Sequence, residues 1–149
     1  MSKYQFRLET LRRLRIAHRD QQRSALADAF RAEQILADRR AELVAEQAQL
    51  RNMQRAAVSG HYADVNQLVE AKRYETILVA NEHLLADQAR RLAEEVERRR
   101  LVLVEADRAV RVLDLLDEKH KQEHRRQAQR QEVKRLDEVA MMRRRPNHS

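Results

Sequence analysis

The stretch LADQARRLAEEVERRRLVLVEADRAVRVL, residues 85–113, carries the clearest pattern in the chain. Steps that alternate between four and three residues reach nine positions, eight of them apolar: Leu85, Ala89, Leu92, Val96, Arg99, Leu103, Ala106, Val110 and Leu113. Residues spaced in this way share one face of an α-helix, and the seven-residue repeat is typical of a coiled coil. The stretch therefore predicts a long helix that buries a narrow stripe against another helix.

The composition extends this prediction to the whole chain. The 149 residues include one Gly, one Pro, no Cys and no Trp, and 37% of them are charged. Sheet-based domains need more turn residues and more β-branched and aromatic side chains, whereas Ala, Leu, Glu, Arg and Gln favour helix. We therefore expect an all-α protein with a coiled-coil seam.

The helical pattern is interrupted once, at the sequence Val58-Ser59-Gly60-His61. Gly60 is suited to a left-handed helix cap, and Asp64 followed by Gln67 resembles a capping box that starts a new helix. A heptad repeat in the first half, at Ala29, Leu36, Leu43 and Leu50, supplies the matching stripe. The prediction is one antiparallel coiled-coil hairpin domain, 1–149, whose longer second helix has a C-terminal overhang. Its expected parts are helix 1 at about 4–57, a turn at about 58–64, helix 2 at about 65–142 and a disordered basic tail at 143–149.

The overhang follows from the pairing rule of the hairpin. A reversal near residue 61 places residue 5 opposite residue 117, so the second helix is expected to be unpaired from Asp117 onward. An apolar face then appears on the polar overhang, formed by Val133, Leu136, Val139 and Ala140 and followed by Met141 and Met142. An unpartnered apolar face predicts a binding surface. Coverage by the N-terminal segment, with Tyr4 and Phe6, and dimerisation remain open alternatives.

The charge is concentrated at the chain ends. The net charge is +7, and basic residues exceed acidic ones by four in residues 1–20 and by six in residues 119–149. An antiparallel hairpin brings both termini to one end, which should be attracted to nucleic acid, an anionic membrane face or an acidic protein cavity. The sequence has no aromatic stacking platform, so nucleic acid is not the expected partner.

The chain shows no pattern that predicts catalysis. His120-Lys121-Gln122-Glu123-His124 fits the H-x-x-E-H arrangement of some zinc proteases, but the neighbouring lysines and the lack of a surrounding core favour a solvated helix face. We expect no enzyme activity, no metal and no cofactor. The absence of cysteine favours a reducing compartment. The sequence contains no run of about 18 apolar residues, so no membrane span is predicted.

Tyr74 is noteworthy because aromatic residues make up 3% of the chain. With Leu78 it is expected to lie opposite Leu43 and Leu50, and these four residues form a second candidate contact surface.

Both ends of the chain resemble one family. Phe6-Arg7-Leu8-Glu9-Thr10-Leu11-Arg12-Arg13-Leu14 is similar to the opening segment of the flagellar export protein FliJ family. Lys134-Arg135-Leu136-Asp137-Glu138-Val139-Ala140, with the basic tail after it, resembles that family's closing signature. Length, basic character and the two-helix layout agree over almost the whole chain.

The resemblance implies a non-enzymatic, stalk-like component of the flagellar type III export apparatus, which serves motility. Its implied partners are the hexameric export ATPase, the export gate protein and export chaperones, and its implied location is cytoplasmic, peripheral to the inner face of the cell membrane at the flagellar base. The implied ATPase-binding end comprises Leu8, Leu11, Val133, Leu136, Asp137, Glu138, Val139, Ala140, Arg143, Arg144 and Arg145. The implied gate or chaperone contact comprises Leu43, Leu50, Tyr74 and Leu78. Alternatives are the homologous stalk of a virulence secretion system and a basic coiled coil that binds nucleic acid.

Overall fold

The computed structural model describes residues 3–60 and 64–145, which form two helices, α1 (Glu9–Ser59) and α2 (Val65–Arg144). The helices pack against each other as a hairpin, and no strand occurs in the described ranges. They contain 51 and 80 residues, so the second helix is the longer one. The predicted all-α coiled-coil hairpin is confirmed.

The start of α1 differs from the prediction. The helix was expected from about residue 4, but it begins at Glu9, and residues 3–6 lie outside it. A turn precedes the helix, in which the backbone N–H of Glu9 donates to the carbonyl of Phe6 at 3.2 Å. The reason for the late start is tertiary, because Tyr4 uses its hydroxyl to bond Asp117, which is 113 residues away.

The interruption between the helices is bounded by Gly60 and Asp64. Gly60 does not have a positive φ, so the expected left-handed cap is wrong. A Cβ at this position would meet only two backbone oxygens at 3.7 and 3.8 Å, so the space does not require glycine. Asp64 does cap α2, because its Oδ1 accepts the N–H of Asn66 at 3.0 Å. Residues 61–63 of the predicted turn and 146–149 of the predicted tail lie outside the described residues.

The chain divides into two compact units. The first, here called the hairpin unit, spans Gln21–Leu103. Its core consists of Leu43, Leu50 and Leu78, with Ala71 and Leu85 packed against them. Leu78 is the most buried of these, with 2% of its surface exposed.

The predicted stripe contains one polar position, Arg99, which the hairpin unit accommodates by hydrogen bonding. Its Nη1 donates to the carbonyl of Ala25 at 2.6 Å, and its Nε donates to Glu95 at 2.9 Å. A half-buried guanidinium with both partners is tolerated in a seam, since its charge and N–H groups stay satisfied.

The second unit, here called the terminal unit, combines Met1–Asp20 with Val104–Ser149. Ala106, Val110 and Leu113 continue the apolar stripe of α2 and are buried. Asp117 occupies the next position of that stripe and is also buried, with 5% of its surface exposed. Within the described ranges, no helix is long and apolar enough to cross a membrane.

Candidate partner-binding surface

The last five turns of α2 have no side-chain cover. Every residue from 125 to 145 is exposed, and we call residues 125–144 the C-terminal helix segment. An ion pair in this segment, between Arg135 and Glu132 at 3.6 Å, joins two of its own side chains one turn apart. Among the residues that the structure describes, the segment is therefore a free helix.

One face of this segment is apolar. Val133, Leu136 and Ala140 follow one another at steps of three and four residues, and Val139 lies beside them, so all four share a face. Val133 and Leu136 are each 57% exposed and Val139 is 44% exposed. Met141 and Met142 extend the apolar surface at the end of the helix with flexible side chains.

The rest of the segment is strongly basic. Residues 125–145 contain eight Lys and Arg and three Asp and Glu. Asp137 flanks the apolar face and Glu138 lies on the opposite side of the helix; both are exposed, as is Arg145 just beyond the helix. Arg143 and Arg144 lie in the last turn, where positive charge complements the helix dipole. The predicted surface at the C-terminus is thus exposed, partly apolar and positively charged.

The expectation that α2 is unpaired from Asp117 onward is wrong. Residues 3–6, which we call the strap, pack against α2 up to His124. The Tyr4 ring lies 5.6 Å from the His124 ring, and the Phe6 ring lies 5.9 Å from the His120 ring, centroid to centroid. The uncovered part of α2 therefore begins after His124.

Asp117 anchors the strap. Its Oδ1 accepts the Tyr4 hydroxyl at 2.7 Å, and its Oδ2 accepts Arg12 Nη1 at 2.7 Å and lies 3.4 Å from Lys121 Nζ. The hydrogen bond from Tyr4 lowers the pKa of Asp117, and the two cations act in the same direction, while burial opposes them. The pKa of Tyr4 is raised to about 12, first by burial and then by its bond to this carboxylate.

The sequence did not predict a role for Asp117, because a charged side chain at this position was expected to be exposed to solvent. The available signal was the spacing: Asp117 continues the stripe of Val110 and Leu113 at the same three-and-four steps. An acid at such a position is paired when it is buried. Of the N-terminal residues predicted for this end, Leu8 is half-buried and Leu11 is 38% exposed.

The second predicted surface is mostly internal. Leu43, Leu50 and Leu78 form the hairpin core, so a partner cannot touch them while the hairpin is folded. Tyr74 is 45% exposed, and its hydroxyl donates to Glu46 at 3.1 Å, a bond that raises its pKa. Tyr74 also lines a groove with Met53, which is 68% exposed. This groove, and not the three leucines, is the accessible part of the predicted contact.

The histidine pair of the H-x-x-E-H pattern packs against aromatic rings. Phe6 faces His120 and Tyr4 faces His124, which leaves both imidazoles half-buried against the strap. In residues 3–60 and 64–145 no three His, Cys, Asp or Glu side chains are grouped to hold a metal.

Comparison with known proteins identifies a family for this chain. No curated protein and no solved structure matches the chain. The family described as flagellar FliJ protein matches residues 4–148, nearly the whole chain. Members of this family are components related to flagellar protein export. Because the match covers nearly the whole chain, the protein belongs to the flagellar FliJ family.

Proposed function

We propose that this protein is a non-enzymatic, stalk-like adaptor of the flagellar export apparatus. Its C-terminal helix segment binds the hexameric export ATPase and promotes its assembly or activity. The observation that carries the proposal is the free helix at residues 125–144, which exposes Val133, Leu136 and Val139 on one face. A helix with an unpaired apolar face gains stability when a partner covers that face.

The chemistry of the segment indicates the kind of site that would accept it. Apolar anchors at steps of three and four residues fit a helix-binding groove or the lining of a pore. The excess of basic over acidic residues in 125–145 favours an acidic lining. The family resemblance implies a central pore in the ring of ATPase subunits, and we infer that this segment enters that pore as a single helix.

The hairpin unit supplies a second contact. We assign the export gate protein and the export chaperones to the groove beside Tyr74 and Met53, since these side chains are exposed. Binding to the gate would place the protein in the cytoplasm, peripheral to the membrane at the flagellar base. The adaptor needs no cofactor for this role.

The test compares two substitutions that change the charge equally. Leu136→Asp places a carboxylate in the apolar face, whereas Gln127→Asp places one on the same exposed helix, half a turn away from that face. We expect Leu136→Asp to abolish ATPase binding in co-sedimentation and to remove any stimulation of ATP hydrolysis. Gln127→Asp should retain both activities.

The helical content measured by circular dichroism should be equal in the two variants, because both sites are exposed. Loss of helicity in Leu136→Asp alone would mean that the apolar face has a structural role. If the native protein neither binds the ATPase nor changes its hydrolysis rate, the proposal is wrong. A mobility shift on DNA or RNA with a salt dependence equivalent to several phosphate contacts would favour nucleic-acid binding instead.

A further inference from the structure

The strap lies at the root of the C-terminal helix segment, where covered helix changes to free helix. We propose that Tyr4 and Asp117 are positioning residues: they clamp this root, so that the apolar face around Leu136 is presented to the ATPase in one direction. The inference rests on the proposed function and names residues that do not themselves touch the partner.

The strap is built to cross two turns of α2. Tyr4 and Phe6 are half-buried and both contact α2, while Gln5 between them is exposed, so the two rings lie on the same side of the strap. His120 and His124, which they contact, are four residues apart and lie on one face of α2. The matching of these two spacings lets one short segment hold two successive turns.

Asp117 joins three parts of the terminal unit through one carboxylate. Tyr4 belongs to the strap, Arg12 to α1 and Lys121 to α2, and all three reach its oxygens within 2.7 to 3.4 Å. Arg12 also lies 3.3 Å from Glu9 and 3.8 Å from Asp114, so its guanidinium links Asp117 to two further carboxylates.

Two cationic side chains also lie over the aromatic rings of the strap. Arg12 is 5.9 Å from the Phe6 ring centroid, and the Lys121 ammonium is 6.0 Å from that of Tyr4. Arg12 thus contacts the Phe6 ring from α1, whereas Lys121 and the two histidines contact the rings from α2. The strap is therefore attached by the Tyr4 hydroxyl, by its two aromatic rings and by the turn that joins it to α1.

The position of the clamp determines how much helix is free. His124 is the last half-buried residue of α2, and Val133 follows nine residues later, about 13 Å further along the helix. Without the strap the free helix would begin near Asp117, which is about 10 Å earlier. A longer unsupported helix samples more directions and frays more, so binding must order more of it.

The experiment uses the full chain and two matched alanine variants in the strap. Tyr4→Ala removes the hydroxyl and ring that reach α2, whereas Gln5→Ala alters the exposed neighbour. We expect Tyr4→Ala to accelerate amide hydrogen exchange in residues 117–128 and to weaken binding to the export ATPase about three- to tenfold. Gln5→Ala should change neither measurement.

Rescue by a covalent link separates positioning from a direct contact. The chain has no cysteine, so a Tyr4→Cys/His124→Cys variant can be joined by a short bifunctional thiol reagent at this pair alone. Linking should slow exchange in residues 117–128 and restore the ATPase affinity to within about twofold of native. The unlinked double variant should bind like Tyr4→Ala.

Three results would overturn the inference. Unchanged exchange in Tyr4→Ala would show that the strap does not hold the root. Faster exchange with unchanged affinity would show that holding the root does not matter for binding, and tighter binding would show that the strap covers the binding surface. If Leu136→Asp also binds normally, the proposed function itself has failed, whereas loss of binding in Leu136→Asp alone refutes only the role of the strap.

Discussion

Leu78→Ala tests whether the hairpin unit depends on its narrow core. Leu78 is 2% exposed and packs with Leu43 and Leu50, with Ala71 and Leu85 at the edge of the cluster. Truncation removes buried methyl groups and leaves a cavity that two stiff helices cannot easily close. The expected loss in the free energy of unfolding is about 2 to 4 kcal/mol.

Leu84→Ala is the matched control for this prediction. Leu84 lies on the same helix with 56% of its surface exposed, so the same substitution there should cost less than about 0.5 kcal/mol. Intrinsic helix propensity is similar for Leu and Ala and changes equally at the two positions. The difference between the variants therefore isolates burial.

Urea unfolding followed by circular dichroism measures both variants, with linear extrapolation to water. The m-value, which is the slope of the free energy of unfolding against urea concentration, should equal the native value in each variant, since both variants expose a similar area on unfolding. Equal losses at Leu78 and Leu84 would refute the assignment of Leu78 to the core. A large loss at Leu84 alone would mean that the two helices pair through another face.

Two further predictions concern the terminal unit and the interruption between the helices. The pKa of Asp117 is lowered from 3.8 in the folded protein, chiefly by Tyr4, so its carboxylate stabilises the fold above pH 4 and loses this effect as the pH falls through the lowered pKa. Asp117→Asn should therefore reduce the thermal midpoint at pH 7 and show a smaller further decrease below pH 4 than the native protein; parallel curves would contradict the pairing. Gly60→Ala should raise the free energy of unfolding by about 0.5 kcal/mol, because the position has no positive φ and alanine restricts the unfolded chain. A clear loss of stability in urea unfolding would show that Gly60 adopts a backbone conformation that is strained for alanine.

The interior of the two helices could be predicted closely. The repeat at Ala29, Leu36, Leu43 and Leu50 is buried in α1, and the stripe of α2 is buried at Ala106, Val110 and Leu113. Helical periodicity is a local property, so apolar spacing reports the buried face directly. The apolar face around Leu136 could be predicted from its spacing for the same reason.

The candidate site was predicted in part. The apolar and basic features of the C-terminal helix segment follow from composition and spacing, and the structure adds that this segment is free of side-chain cover. The rarity of aromatic residues indicated Tyr74, whereas the pairing rule indicated Leu43, Leu50 and Leu78, and pairing cannot tell a core leucine from a contact leucine. Burial therefore left Tyr74 as the exposed member of that set.

The sequence by itself determined that this protein is helical, that it folds back once and that its second helix is longer than its first. These features depend on helix propensity, on spacing along the chain and on one interruption, all of which act over a few residues. The tertiary structure alone decided that residues 3–6 lie outside the helix and that Tyr4 pairs with Asp117. The bond between Tyr4 and Asp117 spans 113 residues, and no local pattern specifies which distant carboxylate a tyrosine hydroxyl will meet.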